Sequence, residues 1–212
     1  MADNLPAAYE KTPVYSLARG VFNVLFHTVY PLRWHNVERA RDMQPPYIIM
    51  GNHKSFADPL ALAVPIRQYE IRYLGKQELA GKKWSNRLMR SLHMIPVARH
   101  ATDMGAMRAC MQVLREGHIL GIFPEGTRHQ ETMMQEVESG AALIALRARV
   151  PLLPVYIDGK IRPFHVTHVY YGEPMPLDDL IARGVNTETV NLLCERIRDT
   201  FYRMRDEAHR EK

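Results

Sequence analysis

The chain has only two cysteines, Cys110 and Cys194. Neither stands in a CxxC spacing or beside a histidine pattern, so a disulfide framework and a Cys/His metal site are both excluded. Each falls in a helical-looking stretch, where a buried thiol in a reducing compartment is the expectation. No internal period repeats, which excludes solenoids. The first residues, MADNLPAAYEKTP, lack the basic start and apolar run of a secretory signal, so a cytoplasmic chain is expected. No uninterrupted apolar run reaches the length of a membrane span. The most apolar stretch, residues 14–32, carries Arg19 and is broken by Gly20, Asn23 and His27.

What the chain has is enough length for one large α/β domain, with 46% hydrophobic and 24% charged residues among 212. The net charge of +5 is unevenly spread. Between Arg67 and Arg99 stand Arg67, Arg72, Lys76, Lys82, Lys83, Arg87, Arg90 and Arg99 against Glu70 and Glu78, more than the whole excess. Such a segment suits an anionic substrate or membrane, and a solvated helix face is the plain alternative. It lacks the interleaved aromatics of a nucleic-acid binder.

Residues 14–32 wrap at helical spacing with Leu17, Val21, Val24, Leu25 and Val29 on one side, widened by Tyr15, Phe22, Phe26 and Tyr30. The favoured reading is an interfacial or half-inserted helix on a membrane; a helix packed on the core is the alternative, and a true span is the least favoured because the run is short and punctuated. Strands are predicted at Tyr47–Met50, Ile71–Leu74, Ile95–Val97, Ile119–Phe123, Val150–Ile157 and Phe164–Tyr171. Helices are predicted from Asp58–Pro59, over 77–91, Asp103–Glu116, 136–149 and Thr187 to about Glu207. The alternation implies an α/β fold, with a mostly parallel or mixed sheet covered by helices on both faces. The expected division is an N-terminal membrane-associating helical segment, 1–40, and an α/β domain, 41–212.

In such sheets the reactive groups gather in loops beyond the strand C-termini. Two loops fit. The first reads Asn52-His53-Lys54-Ser55-Phe56-Ala57-Asp58-Pro59. Histidine is the usual base near neutral pH, and a carboxylate on its second ring nitrogen orients it. Five residues along a continuous helix turn the side chain by about 140°, so the two meet only if the chain turns into the helix. Asp before Pro is also a standard helix start, with Asp as N-cap. The second loop reads Phe123-Pro124-Glu125-Gly126-Thr127-Arg128. Gly126 permits close approach or a positive φ, Thr127 and Arg128 can donate to a phosphate, and backbone N–H groups can form an anion nest; a plain turn with an exposed Arg128 is the alternative.

Together the two loops resemble the glycerolipid acyltransferase family, of lysophosphatidate acyltransferase type, which carries N-H-x-x-x-x-D and F-P-E-G-T-R motifs. Ile95-Pro96-Val97-Ala98-Arg99 resembles its middle block, Val150-Pro151-Leu152-Leu153-Pro154-Val155 its proline-containing fourth block, and Lys76-Gln77-Glu78-Leu79 a K-x-E-L element. The likeness covers residues 47–157. His93 and His129 depart from the family's usual Gly and Ser.

The resemblance implies transfer of a fatty acyl group from acyl-CoA or acyl-carrier protein to the hydroxyl of lysophosphatidate, without metal or other cofactor. His53 is then the general base and Asp58 its orienting partner. Arg99 and Arg128 hold the acceptor phosphate with Thr127, Glu125 orders the loop by pairing with one of those arginines, and the Gly126 N–H and Lys76 face the oxyanion. Another lysolipid as acceptor, such as a lyso-ornithine lipid, or an inactive lipid-binding scaffold are the alternatives. The expected partners are a lysophospholipid, the acyl donor and an anionic membrane surface, with no nucleic acid. The resemblance places such a chain at the cytoplasmic face of a bacterial membrane.

Overall fold

The computed structural model describes residues 12–76, 94–97, 104–125 and 133–210. Seven strands form one sheet: β1 (Leu32–His35), β2 (Tyr47–Gly51), β3 (Ile71–Lys76), β4 (Ile95–Val97), β5 (Ile119–Ile122), β6 (Leu152–Asp158) and β7 (Thr167–Tyr171). Their spatial order is β1-β7-β6-β2-β5-β3-β4. Every neighbouring pair is parallel except β6 with β7. The sheet is therefore mixed, with the antiparallel pair near one edge. The helices are α1 (Pro13–Thr28), α2 (Glu38–Asp42), α3 (Asp58–Ala63), α4 (Met104–Arg115), α5 (Ser139–Ala148), α6 (Asp178–Ala182) and α7 (Thr187–Arg210). The predicted helix over 77–91 lies outside the described residues.

The central strands read as unbroken apolar runs because both faces are covered. In β2, Ile48 and Met50 enter one cluster, with Cys110 and Leu114 of α4, Ala145 of α5 and Leu193 and Phe201 of α7. Tyr47 and Ile49 enter the other, with Tyr15 and Phe26 of α1 and Ala61 and Leu62 of α3. In β6 the same alternation sends Leu152 and Tyr156 one way and Leu153, Val155 and Ile157 the other. Each such large apolar side chain contributes roughly 1.5–3 kcal/mol by leaving water.

Several details correct the sequence reading. β1 is an edge strand of mixed character (Leu-Arg-Trp-His) in a stretch with no strand periodicity, held by parallel pairing with β7. α2 and α6 are single short turns of helix. The strand predicted from Phe164 begins at Thr167. Cys110 is fully buried and burial pushes its thiol up to about 12, whereas Cys194 is only partly buried.

α1 divides its apolar residues between two sides. Tyr15 and Phe26 face the core, and the Tyr15 hydroxyl accepts the Ile71 N–H at 3.1 Å. Arg19 donates to the carbonyls of Ile66 and Tyr69. The helix is thus strapped to the α/β domain, while Val14, Leu17, Val21 and Val24 form an exposed stripe along its outer side. No described helix is long and apolar enough to cross a membrane.

Candidate active site

The two predicted loops leave adjacent parallel strands, β2 and β5, in register from Tyr47 opposite Ile119 to Met50 opposite Ile122. They therefore emerge side by side at the C-terminal edge of the sheet. Gly51 ends β2 where a Cβ would stand 3.0 Å from Phe123 Cε1 and 3.1 Å from Leu62 Cδ2. Asn52, fully buried, then continues the β2–β6 ladder with its side chain. Its Nδ2 donates to the Ile157 carbonyl at 2.9 Å and its Oδ1 accepts the Ile157 N–H at 2.7 Å. Both Ile157 groups are satisfied without a strand partner, so the main chain is released to turn at His53.

The structure brings His53 and Asp58 together. His53 Nδ1 lies 2.9 Å from Asp58 Oδ2. A carboxylate partner makes Nδ1 the protonated nitrogen of the neutral ring and leaves the lone pair on Nε2. The same Oδ2 accepts the N–H groups of Lys54 and Ser55, each at 2.6 Å, and Oδ1 accepts the Ser55 hydroxyl at 2.8 Å. Ser55 Oγ in turn accepts the Ala57 N–H at 3.1 Å. Four donors compensate a carboxylate with no solvent exposure. Asp58 is thus not the helix cap that its Asp-Pro context suggests. Ala57 occupies the cap position, with no side-chain cap bond, and the carboxylate turns back into the loop.

α3 carries Asp58 and is itself pinned through its carbonyls. Tyr73 donates to Pro59 O at 2.7 Å, Trp34 to Ala61 O at 2.8 Å and Tyr171 to Leu62 O at 2.8 Å. The imidazole is held from its flat side. Its ring stacks on Phe123 with centroids 4.4 Å apart, and Phe123 stacks on Tyr73 at 6.1 Å. His53 keeps about a fifth of its side chain exposed, 19%, against 0% for Asp58.

The second loop joins the first through Glu125. Its Oε1 accepts the His53 backbone N–H at 3.3 Å, and the residue is 4% exposed. On the far side the Glu138 N–H donates to Pro124 O at 2.8 Å and closes the excursion between them. Gly126, Thr127, Arg128 and Arg99 lie outside the described residues. Lys76 ends β3, opposite Val97 of β4. Sequence reasoning left Asn52, Ser55 and Phe123 without roles. A serine three residues before an aspartate was the available signal for Ser55. Among the described residues, no group of three His, Cys, Asp or Glu side chains is placed to hold a metal ion.

Residues 31–158 match the family model described as Acyltransferase. The chain is similar to the 1-acyl-sn-glycerol-3-phosphate acyltransferase of Bacillus subtilis, 34% identical over 113 residues, which are 53% of this chain and 56% of the relative. It is 24% identical over 201 residues to the enzyme of that name from Streptococcus pneumoniae, covering 92% of this chain and 74% of the relative. The match thus spans little more than half the length of the Bacillus relative. The crystal structure of the 1-acyl-sn-glycerophosphate (LPA) acyltransferase PlsC from Thermotoga maritima shares the fold, with a TM-score of 0.65 at 22% identity over 92% of this chain and 78% of that one.

Proposed function

Because this chain belongs to the acyltransferase family, we propose that it moves a fatty acyl group from an acyl thioester to the free hydroxyl of lysophosphatidate, giving phosphatidate. The observation that carries this reading is the 2.9 Å contact between His53 Nδ1 and the buried Asp58 carboxylate, at the mouth shared with the Glu125 loop. The names of the relatives support the choice of acceptor.

In this reaction His53 Nε2 takes the proton of the acceptor hydroxyl as that oxygen attacks the thioester carbonyl. Asp58 stabilises the imidazolium that forms. The tetrahedral intermediate then collapses, the C–S bond breaks, and the imidazolium returns the proton to the departing thiolate. A thioester is already activated, so one base suffices, and general base catalysis supplies roughly 10²–10⁴-fold. The Gly126 N–H, with Lys76, meets the oxyanion, each donor being worth about 3 kcal/mol. Arg99 and Arg128 hold the acceptor phosphate, joined by Thr127, while Glu125 ties the loop to the His53 backbone.

A lipid acceptor also calls for a membrane surface. The outer stripe of α1 (Val14, Leu17, Val21, Val24) and the basic stretch from Arg67 to Arg99 suit an anionic cytoplasmic leaflet.

The test is a panel of lysolipid acceptors with acyl-CoA and with acyl-carrier protein as donors. Lysophosphatidate should be acylated at least about tenfold faster than lysophosphatidylglycerol or a lyso-ornithine lipid, a discrimination of one charged contact. Preference for an acceptor without a terminal phosphate would refute the assignment. In the same assay Arg128→Ala should raise the KM for the acceptor far more than for the donor; equal effects would remove Arg128 from the phosphate site.

A further inference from the structure

We propose that the loop between β6 and β7, residues 159–166, is an anchor that inserts Phe164 into an anionic lipid bilayer at the active-site end of the molecule. The proposal rests on the lipid acceptor inferred above and deepens it by naming the surface that meets the lipid. The loop starts one residue beyond the stretch that matches the family model.

The loop reads Gly159-Lys160-Ile161-Arg162-Pro163-Phe164-His165-Val166. Its base is fixed. Asn52 holds the backbone of Ile157 through two hydrogen bonds, which places the loop at the same end of the sheet as His53. Ile161 is buried in the cluster beneath α1. The Phe164 N–H donates to Val29 O at 2.7 Å, tying the tip to the chain leaving α1. The tip itself faces outward. Phe164 is 80% exposed and Val166 50%. Phe164 also stands at φ 59°, a left-handed conformation that a phenylalanine adopts only against resistance. A strained aromatic side chain projecting into water gains nothing for the fold.

The neighbourhood says what it meets. Lys160, Arg162 and His165 are exposed around Phe164, with Arg33 exposed on the adjoining edge strand β1, and the loop contains no acidic residue. An aromatic tip ringed by cations matches a membrane interface with anionic headgroups. Of the six phenylalanines, the two most exposed are Phe164 and Phe56 at 71%, and Phe56 sits in the His53 loop. The outer stripe of α1 leads to Val29, where Phe164 is tied. Insertion of Phe164 and Phe56 thus turns the mouth of the site toward the bilayer that holds the acceptor.

The experiment is flotation of the full chain with substrate-free vesicles of phosphatidylcholine, with and without phosphatidylglycerol. The wild-type protein should bind the phosphatidylglycerol vesicles. Phe164→Asn, which suits a left-handed backbone, should bind about tenfold more weakly. Its thermal midpoint should stay equal to or above that of wild type, since strain is relieved. Lys160→Gln and Arg162→Gln should each lower binding about fivefold, and only where phosphatidylglycerol is present. Undiminished binding of Phe164→Asn overturns the proposal, as does weaker binding accompanied by a lower thermal midpoint, or a wild-type protein that does not float. A dimer lost on Phe164→Asn, without vesicle binding, would assign the loop to a second copy of the chain and overturn it too. His53→Ala should float like wild type, so failure of the proposed reaction and failure of the anchor are read separately.

Discussion

Asp58→Asn is expected to lower kcat for acyl transfer by about 10²–10⁴-fold while leaving the protein folded. The bonds in the loop explain both halves. The asparagine carbonyl can replace Oδ2 as acceptor for Lys54 N–H, Ser55 N–H and His53 Nδ1–H. Its amide can donate to Ser55 Oγ, which now donates to Oδ1. The loop therefore survives with neutral bonds in place of charge-assisted ones, at a cost of about 1–2 kcal/mol. The carbonyl still holds the ring as the Nδ1–H tautomer, but the negative charge that stabilises the imidazolium is gone. Steady-state kinetics on the purified variant, beside its urea denaturation curve, checks the pair of outcomes. A kcat within about tenfold of wild type would remove Asp58 from the proton-transfer step.

Gly121→Ala is expected to cost about 3 kcal/mol or more and to disable the site with it. Gly121 lies on β5 directly opposite Tyr73 of β3. A Cβ there would stand 2.2 Å from Tyr73 Cε1 and 2.3 Å from Cδ1, far inside contact distance, with Ile71 Cγ2 at 3.0 Å. The ring cannot swing away freely, since it is buried and its hydroxyl holds Pro59 O at 2.7 Å. If it moves, Phe123 loses its support and the stack beneath His53 loosens. Urea denaturation should show the loss, and Tyr73→Val in the same chain should recover part of it by vacating the space. Additive losses in the double variant would mean that the Tyr73 ring is not what Gly121 accommodates.

These two positions differ in how plainly the sequence announced them. His53 and Asp58 were legible because a short apolar run, Tyr47–Met50, ends in a glycine and is followed by chemically distinctive side chains. The second loop was legible for the same reason after Ile119–Ile122. Both strands are buried on both faces, so hydrophobicity alone marks them, and their parallel pairing brings the loops together. Gly121 was silent. Its meaning lies in the parallel register with Tyr73, a contact between strands that no local pattern encodes. Asn52 was equally silent, because a side chain that imitates a strand partner is recognised only when Ile157 is seen beside it.

β1 escaped for another reason. Leu32–His35 owes its extended form to the edge of β7 and to Trp34 bonding Ala61 O, not to propensity. α1 was read as a single broad apolar side, and the fold splits it. The aromatic residues Tyr15 and Phe26 are buried against the sheet, while Leu17, Val21 and Val24 remain outside. Helical periodicity identifies an apolar surface but does not say how many partners cover it.

Acyl transfer here turns on His53 removing the acceptor's proton. The direct measurement is the rate of phosphatidate formation from lysophosphatidate and an acyl thioester, wild type against His53→Ala, at saturating substrates. His53 stacks on Phe123 at the loop surface and its removal leaves the Asp58 cluster bonded to Lys54 and Ser55, so the variant should fold. His53→Ala should lose at least about 10²-fold in kcat with little change in the KM of either substrate. Full activity in His53→Ala would contradict it.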